Sequence, residues 1–178
     1  MPIYRLKRIR SIIYPPKCIF CRKTLSYDAT VNICGECYCG LPFAQMIMMP
    51  ACASQADGDN YCDGVVSVFR YTGVVKESLI RFKFFNEPSY YRTYAGLIAD
   101  KLDKLIDVSQ YHMIMSVPLH KQREFSRGYN QARLISEELA KELRLPEGSR
   151  LLKRRRRTET QSLLDRHKRS QNVKGAFI

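Results

Sequence analysis

The residues best suited to chemistry are four cysteines, Cys18-x-x-Cys21 and Cys34-x-x-Cys37, two hooks with twelve residues between them. A Cys-x-x-Cys turn points both sulfurs to one side and supplies two corners of a tetrahedron. Two such turns close a four-thiolate site of the kind zinc occupies. Four thiolates leave no open position for substrate or water, so a metal there is structural. Its binding energy is also folding energy for a module too small to hold a core alone. Cys39, Cys52 and Cys62 complete the seven cysteines. Cys52 and Cys62, which lack x-x-Cys partners, read as plain core cysteines or as the remains of a second site. An odd count without a secretory signal argues against a disulfide framework.

Two further stretches are rich in anion-binding groups. Val117-Pro118-Leu119-His120-Lys121-Gln122-Arg123-Glu124-Phe125-Ser126-Arg127-Gly128-Tyr129-Asn130-Gln131 falls between a predicted strand and a predicted helix. Ligands of open α/β sheets bind at the carboxyl ends of strands, and the free N–H groups of a helix starting at Asn130 suit an anion. The structural alternative has Arg127 paired with a carboxylate and Asn130 simply capping the helix. The second stretch is the run Lys153-Arg154-Arg155-Arg156-Arg157, followed by Thr158, Gln161, Arg166 and Arg169. Five adjacent cations resist burial. They read as a nucleic-acid grip, a mobile phosphate loop or a solubilising segment. No aromatic residue interleaves the run, which weakens base stacking. His112, His120 and His167 have no evident nucleophile to serve, and no Gly-rich phosphate loop is present.

These groups must be positioned by regular elements. Ile3, Leu6, Ile9 and Ile13 predict a short basic helix over 3–13, either docked on the cysteine module or serving as an anchor, and Pro15-Pro16 ends it. Val65, Val66, Val68, Phe69 and Tyr71 predict a strand over 64–71. Val75, Leu79 and Phe82 mark a helix, and residues 94–107 a second one with Leu97, Ile98, Leu102, Leu105 and Ile106 inward. A strand is expected over 111–117. A helix over 130–143 should bury Ala132, Ile135, Leu139 and Leu143 and pair Glu137 with Lys141. Residues 150–172 read as a charged loop, and 173–178 as the start of a strand. This order is α/β.

Composition agrees with a globular protein: 45% hydrophobic and 26% charged over 178 residues. The net charge of +13 is uneven. Residues 1–24 carry +7 and 150–174 carry +8, whereas the remainder is −2. Basic ends on a near-neutral body predict anionic partners. The uncharged run ending at Ala56 is broken by Pro42, Gln45, Pro50 and Gln55, so no membrane span is expected and a cytoplasmic location follows.

Taken together, the residues resemble a known family. The cysteine hooks are followed by Tyr71-Thr72-Gly73 leading to Arg81-Phe82-Lys83-Phe84. Next come Val117-Pro118-Leu119-His120, Arg123 and Arg127-Gly128-Tyr129-Asn130-Gln131. Arg156, Thr158, Gln161, Leu164, Arg166, Arg169, Asn172 and Gly175-Ala176-Phe177 complete the set. This pattern strongly resembles the ComF family of phosphoribosyltransferase-like proteins, from about residue 12 onward. The resemblance implies a zinc module over 1–63 and a type I phosphoribosyltransferase-like α/β domain over 64–178. It implies a phosphoribosyl pyrophosphate or other sugar-phosphate ligand, with Mg²⁺ in an intact member, and an association with competence and DNA uptake. Residues 150–172 would be the flexible loop that closes over pyrophosphate. Lys83, Arg123, Arg127, Asn130, Arg156, Thr158, Gln161, Arg166 and Arg169 would contact the ligand, while no catalytic residue is assignable. Such domains also carry two adjacent acids and a Thr-Thr-Gly loop, expected just after Gly175-Ala176-Phe177. The chain stops at Ile178, so a C-terminally truncated member without turnover is expected. The competing expectation is a non-catalytic zinc protein gripping single-stranded DNA or a DNA-uptake helicase.

Overall fold

A computed structural model describes residues 15–44 and 64–178. The helix expected over 3–13, the polar loop 54–60, Cys52 and Cys62 lie outside the described residues. Among the described residues there are six α-helices: α1 Gly35–Cys39, α2 Gly73–Phe84, α3 Tyr90–Leu102, α4 Lys121–Arg127, α5 Gln131–Glu142 and α6 Arg166–Val173. The chain divides into two compact units. One takes in 15–44 and 64–80 with Asp100–Ile106; the other is Arg81–Ala99 with Asp107–Ile178.

In the first unit, residues 64–80 fold with the cysteine module. The backbone of Arg70 donates to Pro42 (2.8 Å) and that of Ala44 to Val68 (3.0 Å). Phe43 stacks on Phe69 at 5.5 Å, and Lys101 Nζ lies 4.5 Å from the Phe43 ring centre. Cys18, Ile19, Phe20, Leu41 and Val75 are buried here.

The second unit is organised around Phe82. Its ring lies 6.2 Å from Tyr90, 5.9 Å from Tyr94 and 5.8 Å from Tyr129. Tyr90, Thr93, Tyr94 and Leu97 form the buried stripe of α3 at helical spacing. The expected helix over 94–107 thus starts at Tyr90 and stops at Leu102. Leu105 and Ile106 follow in a turn, both donating to the Leu102 carbonyl.

Three further expectations need correction. The strands at 64–71, 111–117 and 173–178 are present only as isolated bridges: Phe43 with Phe69, Ile114 in parallel with Glu147, and Arg154 with Phe177. Tyr111, Met113, Met115 and Val117 share one face of their segment and are all exposed. Extended backbone without a covered face or paired neighbours does not build a ladder. In α5, Ala132 faces solvent while Ser136, Leu139 and Ala140 are buried. Glu137 accepts from Arg133 (2.8 Å) rather than from Lys141, whose Nζ reaches Glu138 (2.9 Å).

Two helices, α4 and α6, occupy segments read as loops. Neither has an apolar stripe, so periodicity was silent about them. Their caps account for them. The His120 ring accepts from Gln122 N–H and Gly128 ends α4 at φ +84°, a left-handed turn that favours glycine. Asp165 accepts from Lys168 N–H at the start of α6. Asn130 caps α5 as expected, accepting from Ala132 and Arg133 N–H.

Candidate metal centre and anion clefts

The four cysteine sulfurs of Cys18, Cys21, Cys34 and Cys37 lie within 4.8 Å of one another. Local backbone turns place them. Cys18 N–H donates to Lys23 and Arg22 N–H returns to Cys18, both at 2.9 Å, while Arg22 takes φ +69° to tighten the turn. Ile19 N–H donates to Asn32 (2.9 Å), tying the first hook to the residues just before the second. Cys34 caps α1 and Cys37 lies one turn along it. The Cys21 and Cys34 sulfurs are 3.7 Å apart, close to the edge of about 3.8 Å for a tetrahedron with zinc–sulfur bonds near 2.3 Å. Burial pushes the Cys18 thiol up, but N–H groups of Cys21, Cys34 and Phe20 outweigh it and bring it to about 7. Burial and the neighbouring Cys21 and Cys34 thiols push Cys37 up. A divalent cation at the centre would relieve this crowding of incipient thiolates. The four residues are compatible with a structural metal site. Cys39 lies outside the cluster and is exposed.

A cleft of about 450 Å³ opens beyond the parallel bridge. Ile114 N–H donates to Pro146 and Gly148 N–H to Ile114, both at 2.9 Å. Just past these residues, Ser116 N–H donates to Ser149 Oγ (2.8 Å) and the two hydroxyls are 2.7 Å apart. Lys121, Asn130, Arg133, Arg150, Lys153 and Arg154 line the cleft together with Glu124. Arg154 is held by a hydrogen bond to the Thr158 hydroxyl and lies 5.3 Å from the Phe177 ring centre. Burial, with the repulsion of Arg123 and Arg156, holds its guanidinium below the usual range. An anion in this cleft would be favoured by that unrelieved positive charge.

Ser149, which lines this cleft, has a pH-dependent support. Glu147 Oε1 accepts from Ser136 Oγ and from Ser149 N–H, each at 3.0 Å. Burial pushes the Glu147 carboxyl up, but its hydrogen bonds to Ser149 and Ser136 outweigh this and hold it below the ordinary 4.5. A carboxyl depressed by folding binds fewer protons folded than unfolded. Its stabilising share is present above pH 4.5 and lost as pH falls through the lowered folded value. Glu147→Gln is therefore expected to flatten the acid limb of stability against pH, measured by urea unfolding. A variant retaining the wild-type slope there would contradict this.

A second cleft, of about 690 Å³, gathers Lys83, Phe84, Asn86, Arg123, Phe125 and Arg127 with Thr160. Arg123 donates to Thr160 Oγ1 (3.1 Å) and to the Thr158 carbonyl (3.4 Å). Arg127 donates to Gln131 Oε1 (2.8 Å) and lies 5.1 Å from the Phe84 ring centre. The ligand residues expected from the sequence are thus distributed. Lys83, Arg123 and Arg127 share this cleft, Thr158 lines an adjoining hollow, and Asn130 lines the strand-end cleft. Arg156 donates to the carbonyls of Asn172 (3.0 Å) and Lys174 (2.9 Å). Arg169 Nε donates to those of Gln161 and Leu164, both at 2.8 Å. These two arginines staple residues 156–174 together. Arg166 is the first residue of α6. Sequence reasoning did not single out Phe84, Phe125 or Thr160. The separation of 37 positions between Arg123 and Thr160 hides their contact from any local pattern.

Among the described residues no helix is long and apolar enough to cross a membrane. Over 173 residues the chain is 31% identical to competence protein F of Haemophilus influenzae, an alignment covering 90% of this chain and 75% of that protein. Competence protein ComFC of Bacillus subtilis is 32% identical over 71 residues, 40% of this chain and 29% of that protein. DNA utilization protein YhgH of Escherichia coli is 39% identical over 64 residues, 36% of this chain and 28% of that protein. No family model matches the chain, and no solved structure matches it.

Proposed function

The chain belongs to the ComF family, and from that premise we propose that it is a cytoplasmic, zinc-holding protein of competence or DNA use. In this reading the strand-end cleft binds a phosphoribosyl pyrophosphate-type ligand. Competence and DNA utilization are the roles named for its relatives. The observation that carries the ligand reading is the position of the cationic cleft. It lies at the carboxyl ends of two segments joined in parallel through Ile114 and Glu147, where open α/β sheets bind phosphorylated ligands. A type I phosphoribosyltransferase-like architecture is the fold this reading extends to the chain.

The residues present suit such a ligand. Lys121, Arg150 and Lys153 bring charge to the cleft mouth, and Pro118, Leu119 and Leu152 offer apolar contact. Cations from 150–154 beside a pyrophosphate would stabilise its charge and exclude water. Mg²⁺ accompanies this ligand in an intact family member. For the metal, a four-thiolate set with tetrahedral spacing selects zinc over harder cations.

Calorimetric titration with phosphoribosyl pyrophosphate, with and without Mg²⁺, tests the ligand. Saturable binding is expected, weakened about ten-fold by Lys121→Ala combined with Lys153→Ala through lost charge-assisted bonds. Both lysines are exposed, so the variant should fold. No heat of binding, or equal affinity in the variant, would refute the site.

A further inference from the structure

We propose that Ser116 Oγ serves the strand-end cleft as a hydrogen-bond acceptor, selecting a ligand that carries a free sugar hydroxyl beside its phosphate. This rests on the reading of that cleft as a sugar-phosphate site. It adds which part of the ligand is recognised, and by which atom.

Three buried serines from separate segments meet beside the cleft: Ser116, Ser136 on α5 and Ser149. Ser116 and Ser149 line it, and Ser136 does not. Each hydroxyl has a single hydrogen to give. Ser136 Oγ lies 3.1 Å from the Arg133 carbonyl and 3.0 Å from Glu147 Oε1. A carbonyl can only accept, and so can the Glu147 carboxylate, ionised at neutral pH. The Ser136 hydrogen is therefore committed to them. At the 3.2 Å contact between Ser136 and Ser149, Ser149 must then be the donor. With its hydrogen used there, Ser149 can only accept at its 2.7 Å contact with Ser116 Oγ, as it also accepts from Ser116 N–H at 2.8 Å. The Ser116 hydrogen thus points at Ser149, and a lone pair is left for the cleft. The reverse order would leave two buried oxygens 3.2 Å apart with no hydrogen between them, a costly unmade bond.

Most of the cleft has the opposite polarity. Asn130 Oδ1 is taken up by the N–H groups of Ala132 and Arg133, so its amide nitrogen is left to donate. Lys121, Arg150 and Lys153 only donate. Ionised phosphate oxygens only accept, so they match these groups and mismatch Ser116. A bare phosphate or pyrophosphate would meet the Ser116 lone pair without a hydrogen to share. A sugar hydroxyl supplies that hydrogen. Glu124, the one carboxylate among the lining residues, makes no hydrogen bond or ion pair among the described residues. A second hydroxyl therefore has an acceptor too.

Titration of the full chain with ribose 5-phosphate and with methyl phosphate tests the proposal. Both are phosphate monoesters of equal charge, and only the first has free hydroxyls. The wild type should bind ribose 5-phosphate at least about five-fold more tightly, the worth of one net hydrogen bond. Ser116→Ala should lower that preference at least about three-fold, with methyl phosphate affinity kept within about two-fold. Ser136→Ala changes a residue that does not line the cleft. Without Ser136, Ser149 turns its hydrogen to Ser116, and Ser116 turns its own into the cleft. The preference should fall there too, although Ser116 is intact, and this variant decides on its own if Ser116→Ala does not fold. A wild type without the preference overturns the proposal. So does equal weakening of both ligands in Ser116→Ala, or an unchanged ratio in Ser136→Ala. If phosphoribosyl pyrophosphate binds and the preference is missing, this assignment fails and the reading of the cleft stands. If the Ser116-dependent preference is present and phosphoribosyl pyrophosphate gives no heat, only the pyrophosphate part of that reading fails.

Discussion

Cys34→Ser is expected to abolish the proposed zinc binding and unfold the cysteine module. Cys34 holds two jobs: its sulfur belongs to the four-atom cluster and its backbone begins α1. Serine can still begin the helix but is a poor ligand for a thiolate-selective metal. Structural zinc contributes about 10–16 kcal/mol of apparent binding energy in small modules, while a whole domain is stable by only about 5–15 kcal/mol. Among the described residues, the buried apolar side chains of this unit are Cys18, Ile19, Phe20, Leu41 and Val75, a small core. Metal analysis should fall from about one zinc per chain to near none, with loss of circular dichroism. Chelation of the wild type should give the same result. Cys39→Ser, altering an exposed thiol outside the cluster, should keep the metal. A Cys34→Ser chain that retained both metal and fold would contradict the assignment.

The second large effect is expected at Phe82→Ala. The ring is 1% exposed and meets Tyr90, Tyr94 and Tyr129. Truncation removes the shared partner of three rings and leaves a cavity that helices α2 and α3 cannot close without moving. The cost for such a site is about 3–5 kcal/mol, a large share of a typical domain's stability. The Phe82 carbonyl also accepts from Tyr129 Oη (2.6 Å) and Gln131 Nε2 (3.1 Å). Those bonds survive the change on paper, but they depend on the rings for alignment. Because Lys83 and Phe84 follow directly, the second cleft should loosen as well. Urea unfolding measures the loss, with Phe125→Ala as the exposed control expected within about 0.5 kcal/mol of wild type. A loss under about 1 kcal/mol at Phe82 would show that the ring cluster is not the core of its unit.

Several features were legible because they are local. The cysteine hooks depend on turns of a few residues, so spacing alone placed the four sulfurs together. Helices α2, α3 and α5 repeat apolar residues at helical intervals, and Asn130 capped α5 as its type suggests. Helix ends were less legible. α3 begins at Tyr90 because Tyr90 and Thr93 are buried, which depends on what packs against them. α4 and α6 escaped because capping and tertiary support, not an apolar stripe, hold them. The strands failed for the opposite reason. Their composition suits pleated backbone, but a strand exists only with a partner, and that partner is elsewhere in the chain.

The sequence by itself determined the four-cysteine cluster, the main helices, the uneven charge and the resemblance to ComF proteins. Each rests on short-range stereochemistry or on a pattern of residue types. Only the tertiary structure decided which cations act together. Arg156 and Arg169 belong to the same basic segment as Lys153 and Arg154, yet they bind backbone carbonyls while the latter two line a cleft. Phe84 and Phe125 belong to no common motif, yet packing brings them to the same cleft as Lys83, Arg123 and Arg127. Contacts such as Phe82 with Tyr129, 47 residues apart, set those positions, because burial of the Phe82 ring fixes where the neighbouring chain must run.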